Sequence, residues 1–345
     1  MSENTVLSIT ELFELVKETF LSAGCSQEQA GAVARVIVAG ERDGCKSHGI
    51  YRIEGCLRTI DAGKVVPDAI PNVVPDESAI VRIDAHGGFA NAAFEMGLPL
   101  LAARTRTLGL AAMVINNCTH FSALWPEVEA VTETGLAALA MCPSYATVAP
   151  AGGRAPLLGT NPMAFGWPRE KKPPYVFDFA TSMAARGEIE LHRRAGKTLP
   201  EAWALDRDGG PTTDPEAALA GAMLPFGGHK GSAISTMIEL LAGAMIGDLM
   251  SPEALEFLGT TTLSPHHGEL IIAFDPVRFS GLRKGNPLIH AESLFEAIMG
   301  QGARLPSQRR FAARAKSIAE GIEISAAEMA QLRRLHQTAT NRAAE

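Results

Sequence analysis

His48 lies in the run Ser47-His48-Gly49-Ile50-Tyr51-Arg52, where a proton-exchanging imidazole is followed four residues later by a guanidinium. Imidazole titrates near pH 6.5, so His48 can give or take a proton at neutrality. Arg52 offers a planar fork that matches a carboxylate, and helical spacing would place it on the same face as His48. A serine cap followed by solvated polar residues is the alternative for the same run.

Four other segments carry chemistry of the same scale. Pro225-Phe226-Gly227-Gly228-His229-Lys230-Gly231-Ser232 puts glycines and a lysine ahead of an apolar stretch, a pattern that suits a phosphate at a helix N-terminus and equally a flexible turn. Asn116 to Trp125, containing His120, falls where a strand gives way to a helix, the end of an α/β sheet at which ligands bind. Gly159-Thr160-Asn161-Pro162 is followed by Asp178-Phe179-Ala180-Thr181-Ser182 and by Arg186-Gly187-Glu188. Thr160 offers a hydroxyl, Arg186 a second fork, and Glu188 a charge able to orient a histidine. The fifth segment, Arg304-Leu305-Pro306-Ser307-Gln308-Arg309-Arg310, is a short basic concentration sized for one phosphate.

Several functions are disfavoured. The lone Gly300-Gln301-Gly302 lacks a third glycine in register, and no Walker-type sequence occurs, so a standard Rossmann or P-loop site is not expected. No histidine pair, His266-His267 included, has metal-site spacing, and no metal is assigned. A net charge of -7 would repel a nucleic-acid backbone. The opening MSENTVLSIT has neither the basic nor the apolar part of a secretory signal, and no apolar run reaches membrane-spanning length. The five cysteines form no C-x-x-C pair and read as reduced thiols of a cytoplasmic protein.

The positioning elements follow from periodicity and punctuation. Ser8 with Glu11 has capping-box spacing ahead of Leu12, Phe13, Val16 and Phe20, and Ser26 with Gln29 repeats the signal for a second helix ending near Arg42. A third helix is expected from about Gly49, with Ile50, Ile53, Leu57 and Ile60 in phase, then an extended connector from Pro67 to Pro75. AIVRI, LAAMVIN, LAALAMC and YVFDFA read as strands, and residues 90–105, 122–134 and 231–246 as helices. Ser325 with Glu328 caps a last helix. The expected layout is a helical part, residues 1–76, packed with the tail 300–345, around a central α/β domain, residues 77–299.

SHGIYR, LGTNPMAFGWP, FDFATS and FGGHKG, in this order, resemble the malate/L-lactate dehydrogenase family of NAD(P)-dependent oxidoreductases, from about Leu7 to Leu335. The resemblance implies a non-Rossmann α/β fold, a homodimer and a site near the subunit interface. HFSALW and RLPSQRR are similar to the Δ1-piperideine-2-carboxylate/Δ1-pyrroline-2-carboxylate reductases of that family, which implies NADPH-dependent reduction of a cyclic imine to an L-amino acid. It also implies roles. Ser47 would hold His48, the proton donor, with Glu188 as the third relay member where those reductases carry Asp. Arg52, Thr160, Arg186 and Gly187 would grip the small carboxylate substrate. His120, Phe121, Ser122, Ala123, Leu124, Asp178, Phe179, Ala180, His229, Lys230 and Arg304 through Arg310 (Leu305, Pro306, Ser307, Gln308 and Arg309 between them) would hold NADP, whose 2′-phosphate suits the arginines. A 2-oxo acid reductase of the same family would use the same donor and clamp. A catalytically silent nucleotide-binding protein is the rival from another class, and intact Ser47, His48, Arg52 and Lys230 argue against it.

Overall fold

The computed structural model describes residues 4 to 343. Both N-terminal capping signals act as read. Ser8 Oγ accepts the Glu11 N–H while Glu11 accepts the Ser8 N–H, starting a helix at Ile9–Ser22, and Ser26 caps Gln27–Arg42. Tyr51–Asp61 forms the third helix. The Ser325–Glu328 box opens the last, Ala326–Ala343.

Leu12, Phe20, Ile37 and Ile53 from the first three helices share one apolar cluster with Ile322, Met329 and Leu332 from the tail. Strand pairing of Thr5–Leu7 with Ile322–Ile324 ties the two chain ends together. Phe89 and Phe121 extend this cluster toward the sheet, with edge-on contacts running Phe20 to Phe89 to Phe121.

The central sheet has seven strands in the order Asn72–Val74, Ile80–Asp84, Leu110–Thr119, His266–Phe274, Ala137–Met141, Met163–Trp167 and Tyr175–Phe179. Only the pair Ile80–Asp84 with Leu110–Thr119 is parallel, so the sheet is not the parallel stack of a Rossmann domain. The four expected strands are present and Asn72–Val74 forms within the expected extended connector, but sequence reading missed the other two. Met163–Trp167 alternates weakly, and His266–Phe274 begins with two histidines and contains Glu269, which masked a buried strand at the centre of the sheet.

The expected helix over 231–246 also changes form. It runs as His229–Glu239 and then widens into a π-turn over Leu240–Ala244. Within the expected central part, a small three-stranded sheet of Ala204–Leu205, Pro211–Thr212 and Ala222–Met223 gathers its own apolar cluster with Ile189, Leu199 and Ala218.

The turn carrying Ser47 and His48 is held by close backbone packing on the Gln27–Arg42 helix. A Cβ on Gly40 would lie 2.5 Å from the His48 carbonyl oxygen, and one on Gly49 would lie 2.0 Å from Glu41 Oε1. That Glu41 oxygen accepts the Ile50 N–H at 2.8 Å, fixing the entry to the third helix. Gly40→Ala is therefore expected to destabilise the fold by about 1–3 kcal/mol, the usual range for overpacking, and to lower activity by displacing His48. Chemical denaturation checks this, and an unchanged midpoint would contradict the packing described.

Candidate active site

A cavity of about 1340 Å³ opens between the helical part and the sheet. It is larger than the usual few hundred to about 1,000 Å³ of a small-ligand site and has room for a dinucleotide beside a small substrate. Of the expected site residues, Ser47, His48, Arg52, His120 through Ala123, Thr160, Asp178 through Ala180, Arg186, Gly187 and Arg304 through Arg310 line it.

At its polar centre Ser47 Oγ lies 3.0 Å from His48 Nδ1, and Arg52 Nη2 lies 3.3 Å from His48 Nε2. A guanidinium can only donate, so Nε2 is the acceptor and the proton sits on Nδ1, donated to Ser47 Oγ. Arg52 is anchored by Nε to the Ser47 carbonyl at 2.8 Å. Burial, then Arg52, then His120 push the His48 pKa down to about 3, so the empty site holds a neutral imidazole at pH 7. An anion that drew Arg52 away would free Nε2 and favour protonation.

Arg186, the first residue of the Arg186–Arg194 helix, donates to Thr261 Oγ1 and to the Leu219 carbonyl. Tyr145 donates to the Thr261 carbonyl at 3.0 Å and is close enough to both Arg52 and Arg186 to feel their charge. Two guanidinium groups thus converge on one part of the cavity.

The arginines of RLPSQRR divide in a way the sequence did not indicate. Arg304 and Arg309 are exposed, whereas Arg310 is 7% exposed and paired with both Asp43 and Glu129. Its guanidinium carbon sits 4.2 Å from the centre of the Trp125 ring. Arg314 joins the same carboxylates, 2.9 Å from Asp43 and 2.7 Å from Glu129. Burial alone would raise the Asp43 pKa, but hydrogen bonds from Arg314 and Arg42 hold it below the ordinary value. Arg310 is therefore engaged inside the protein, and only Arg304 and Arg309 remain for a phosphate.

Asp178 is likewise engaged. Its carboxylate accepts the N–H groups of Leu124 and Trp125 at 2.9 Å, capping the Trp125–Glu133 helix from a neighbouring strand. Burial raises its pKa to about 6 despite those bonds and Arg310.

Four expected residues fall outside the cavity lining. Leu124 is fully buried in the sheet core, as an apolar side chain on that helix entry must be, and only its backbone reaches Asp178. Glu188 is exposed. The cavity face of its helix carries Arg186, Gly187, Glu190, Arg193 and Arg194, and at 100° per residue Glu188 points to the opposite side. A Ser47-His48-Glu188 relay is therefore not assembled within one chain. His229 and Lys230 stand exposed at the start of their helix, and Phe226 just before it makes an edge-on contact with Phe179 of the cavity.

Sequence reading missed Tyr145, Glu190, Glu127 and Glu269. Glu190 is held down to about 2 by Arg193, against burial, and by Arg194. Glu269 could have been found as a lone charge within the apolar run LIIAF and its histidines.

The chain belongs to the malate/L-lactate dehydrogenase family, whose model matches residues 7–333. It is 71% identical to a Δ1-pyrroline-2-carboxylate reductase of Agrobacterium fabrum, covering 97% of both chains. It is 56% identical to a Δ1-pyrroline-2-carboxylate/Δ1-piperideine-2-carboxylate reductase of Pseudomonas aeruginosa, over 92% of this chain and 95% of that one. Among solved structures, the Δ1-piperideine-2-carboxylate reductase of Pseudomonas syringae pv. tomato superposes with a TM-score of 0.92 at 42% identity, covering 96% of this chain and 99% of that one.

Arg310→Ala is expected to cost about 3–5 kcal/mol, because it leaves buried carboxylates short of a partner, whereas exposed Arg309→Ala should change stability little. Since the Asp43 pKa is depressed in the folded state, its contribution is present above the ordinary carboxylate pKa and is lost as pH falls through the folded value. Urea denaturation of both variants checks this, and equal stability would contradict the buried pairing.

Proposed function

We propose that this protein reduces the C=N bond of a cyclic imine bearing a neighbouring carboxylate, Δ1-pyrroline-2-carboxylate or Δ1-piperideine-2-carboxylate, to L-proline or L-pipecolate. The observation that carries this reading is the Arg52–His48–Ser47 arrangement, a carboxylate fork bonded directly to a proton-exchanging group, in a chain 71% identical to a reductase of that substrate class. A bound nicotinamide nucleotide supplies the hydride. The cavity is large enough for it, and exposed Arg304 and Arg309 on its lining favour the 2′-phosphate form, NADPH.

The chain's own groups account for the rest. Arg52 turns from His48 to the substrate carboxylate, with Arg186 and Thr160 beside it. That movement unblocks His48 Nε2, so the imidazole becomes protonated once an anion is bound and can pass the proton to the substrate nitrogen. Ser47 keeps the ring oriented through Nδ1. Among the described residues no carboxylate pairs with His48, so the Ser47–His48 pair is the minimal donor. A homodimer agrees with the exposed apolar side chains Met237, Leu240 and Met245 that follow FGGHKG.

His48→Ala should lower kcat by about 10²- to 10⁴-fold with NADPH affinity nearly intact, the usual worth of a positioned general acid. Arg52→Lys should chiefly raise KM, because the fork is lost and the charge stays. Steady-state rates with both imines and with a 2-oxo acid check this. A fully active His48→Ala enzyme, or higher kcat/KM on the 2-oxo acid, would overturn the reading.

NADPH should exceed NADH in kcat/KM by about ten- to a hundredfold, the worth of one or two charge-assisted phosphate contacts. Arg309→Ala should shrink that ratio. Equal efficiency with both cofactors would contradict it.

A further inference from the structure

Behind the cavity wall lie two carboxyl groups that the mechanism above does not use. Glu127 comes from the Trp125–Glu133 helix and Glu269 from the central strand, and they are 2% and 0% exposed. The strand register slips between His267 and Glu269, where a Cβ on Gly268 would meet Ile246 at 2.6 Å. Beyond this bulge Glu269 alternates with Ile271 and Ala273, on the face of the sheet that packs against the Glu127 helix.

His120 completes the group. Its Nε2 lies 3.5 Å from Glu127 Oε1 and 3.7 Å from Glu269 Oε2, and its ring lines the cavity. Nε2 and all four carboxyl oxygens are buried and receive no hydrogen bond from the rest of the described protein. Two ionised carboxylates cannot share so dry a place, because each loses its hydration and repels the other. Burial raises the Glu127 pKa to about 8, and burial with Glu127 raises Glu269 well above the carboxylate range.

Among the described residues, the groups facing this cluster supply no compensating cation at contact distance. His267 stacks on His120 with ring centres 5.8 Å apart, and burial keeps it neutral, with its pKa near 3 and its Nδ1–H given to the Gly268 carbonyl. Cys118 and Cys142 are buried thiols with raised pKa values. Burial holds the His120 pKa below its ordinary value; Glu269 and Asp178 favour its charged form and Arg52 opposes it. His48 also feels His120, which places both histidines on the same cavity.

We infer that Glu127 and Glu269 are a proton reservoir that reloads the active site through His120. The inference rests on the imine reduction proposed above. In each turnover the C=N π bond opens as hydride arrives at carbon, and the proton on His48 forms the new N–H bond. His120 then gives its Nδ1 proton to His48 Nε2 and takes one at its own Nε2 as an O–H bond of the carboxyl pair breaks, and a flip of the ring restores the Nδ1–H form for the next turnover. The pair, left with one negative charge, takes its proton back from solvent. Glu127 and Glu269 act through His120 and are positioning residues.

Infrared spectra and pH–rate profiles test this together. The wild-type protein at pH 7 should show the C=O stretch of a buried protonated carboxyl, and Glu127→Gln and Glu269→Gln should each reduce it. That band reports the stored proton even if the imine is not the substrate. Wild-type kcat should hold to about pH 8, while the Gln variants lose rate from lower pH, by about tenfold at pH 8, with KM little changed. Glu127→Asp should restore most of the rate. Absence of the band in the wild type, Gln profiles superimposable on wild type, or a stoichiometric divalent metal in the purified protein would each overturn the inference.

Discussion

Asp43 is a carboxylate with no exposed side-chain surface, and the cavity walls meet where its charge is neutralised. It ends the Gln27–Arg42 helix, next to the turn that presents Ser47 and His48. Its partners Arg310 and Arg314 belong to the helix Gln308–Glu320, and the same arginines reach Glu129 on the helix after HFSALW. Trp125 lies under both guanidinium groups. One buried knot thus joins the turn of Ser47 and His48, the RLPSQRR segment and the helix that carries Glu127. A charge knot of this kind is a modest source of net stability, but losing one member strands the others in a dry interior, which makes the arrangement of the three segments stringent.

The same dryness sets the protonation states of the site. His48 is neutral when Arg52 is bonded to it, so in the proposed mechanism substrate capture and proton loading are coupled through one guanidinium. The carboxylate that attracts Arg52 also removes the obstacle to charging His48. A group with an ordinary pKa would be partly charged without substrate, whereas the suppressed His48 is armed only by an anion.

Much of this was legible in the sequence. The capping boxes at Ser8 and Ser325, the apolar alternation of four strands and the SHGIYR and FDFATS runs all express local rules, and each appears where those rules put it. What was hidden depends on partners distant in the chain. Arg310 looked like a phosphate ligand because nothing in RLPSQRR announces Asp43, 267 residues away. Glu188 looked like a relay member until the helix phase fixed by Arg186 and Glu190 turned it outward. The central strand was obscured because its polar start, His266 to Glu269, is buried by tertiary packing that period and propensity do not record.

In the proposed function the cavity brings a nicotinamide hydride to the carbon of a C=N bond whose neighbouring carboxylate is held by Arg52. Turnover of Δ1-pyrroline-2-carboxylate with NADPH deuterated at the transferring position, followed by mass spectrometry and chiral analysis of the product, tests it most directly. The expected product is L-proline carrying one deuterium at C2, with loss of turnover in the Arg52→Ala protein. Product without deuterium at C2, or undiminished transfer in that variant, would contradict it.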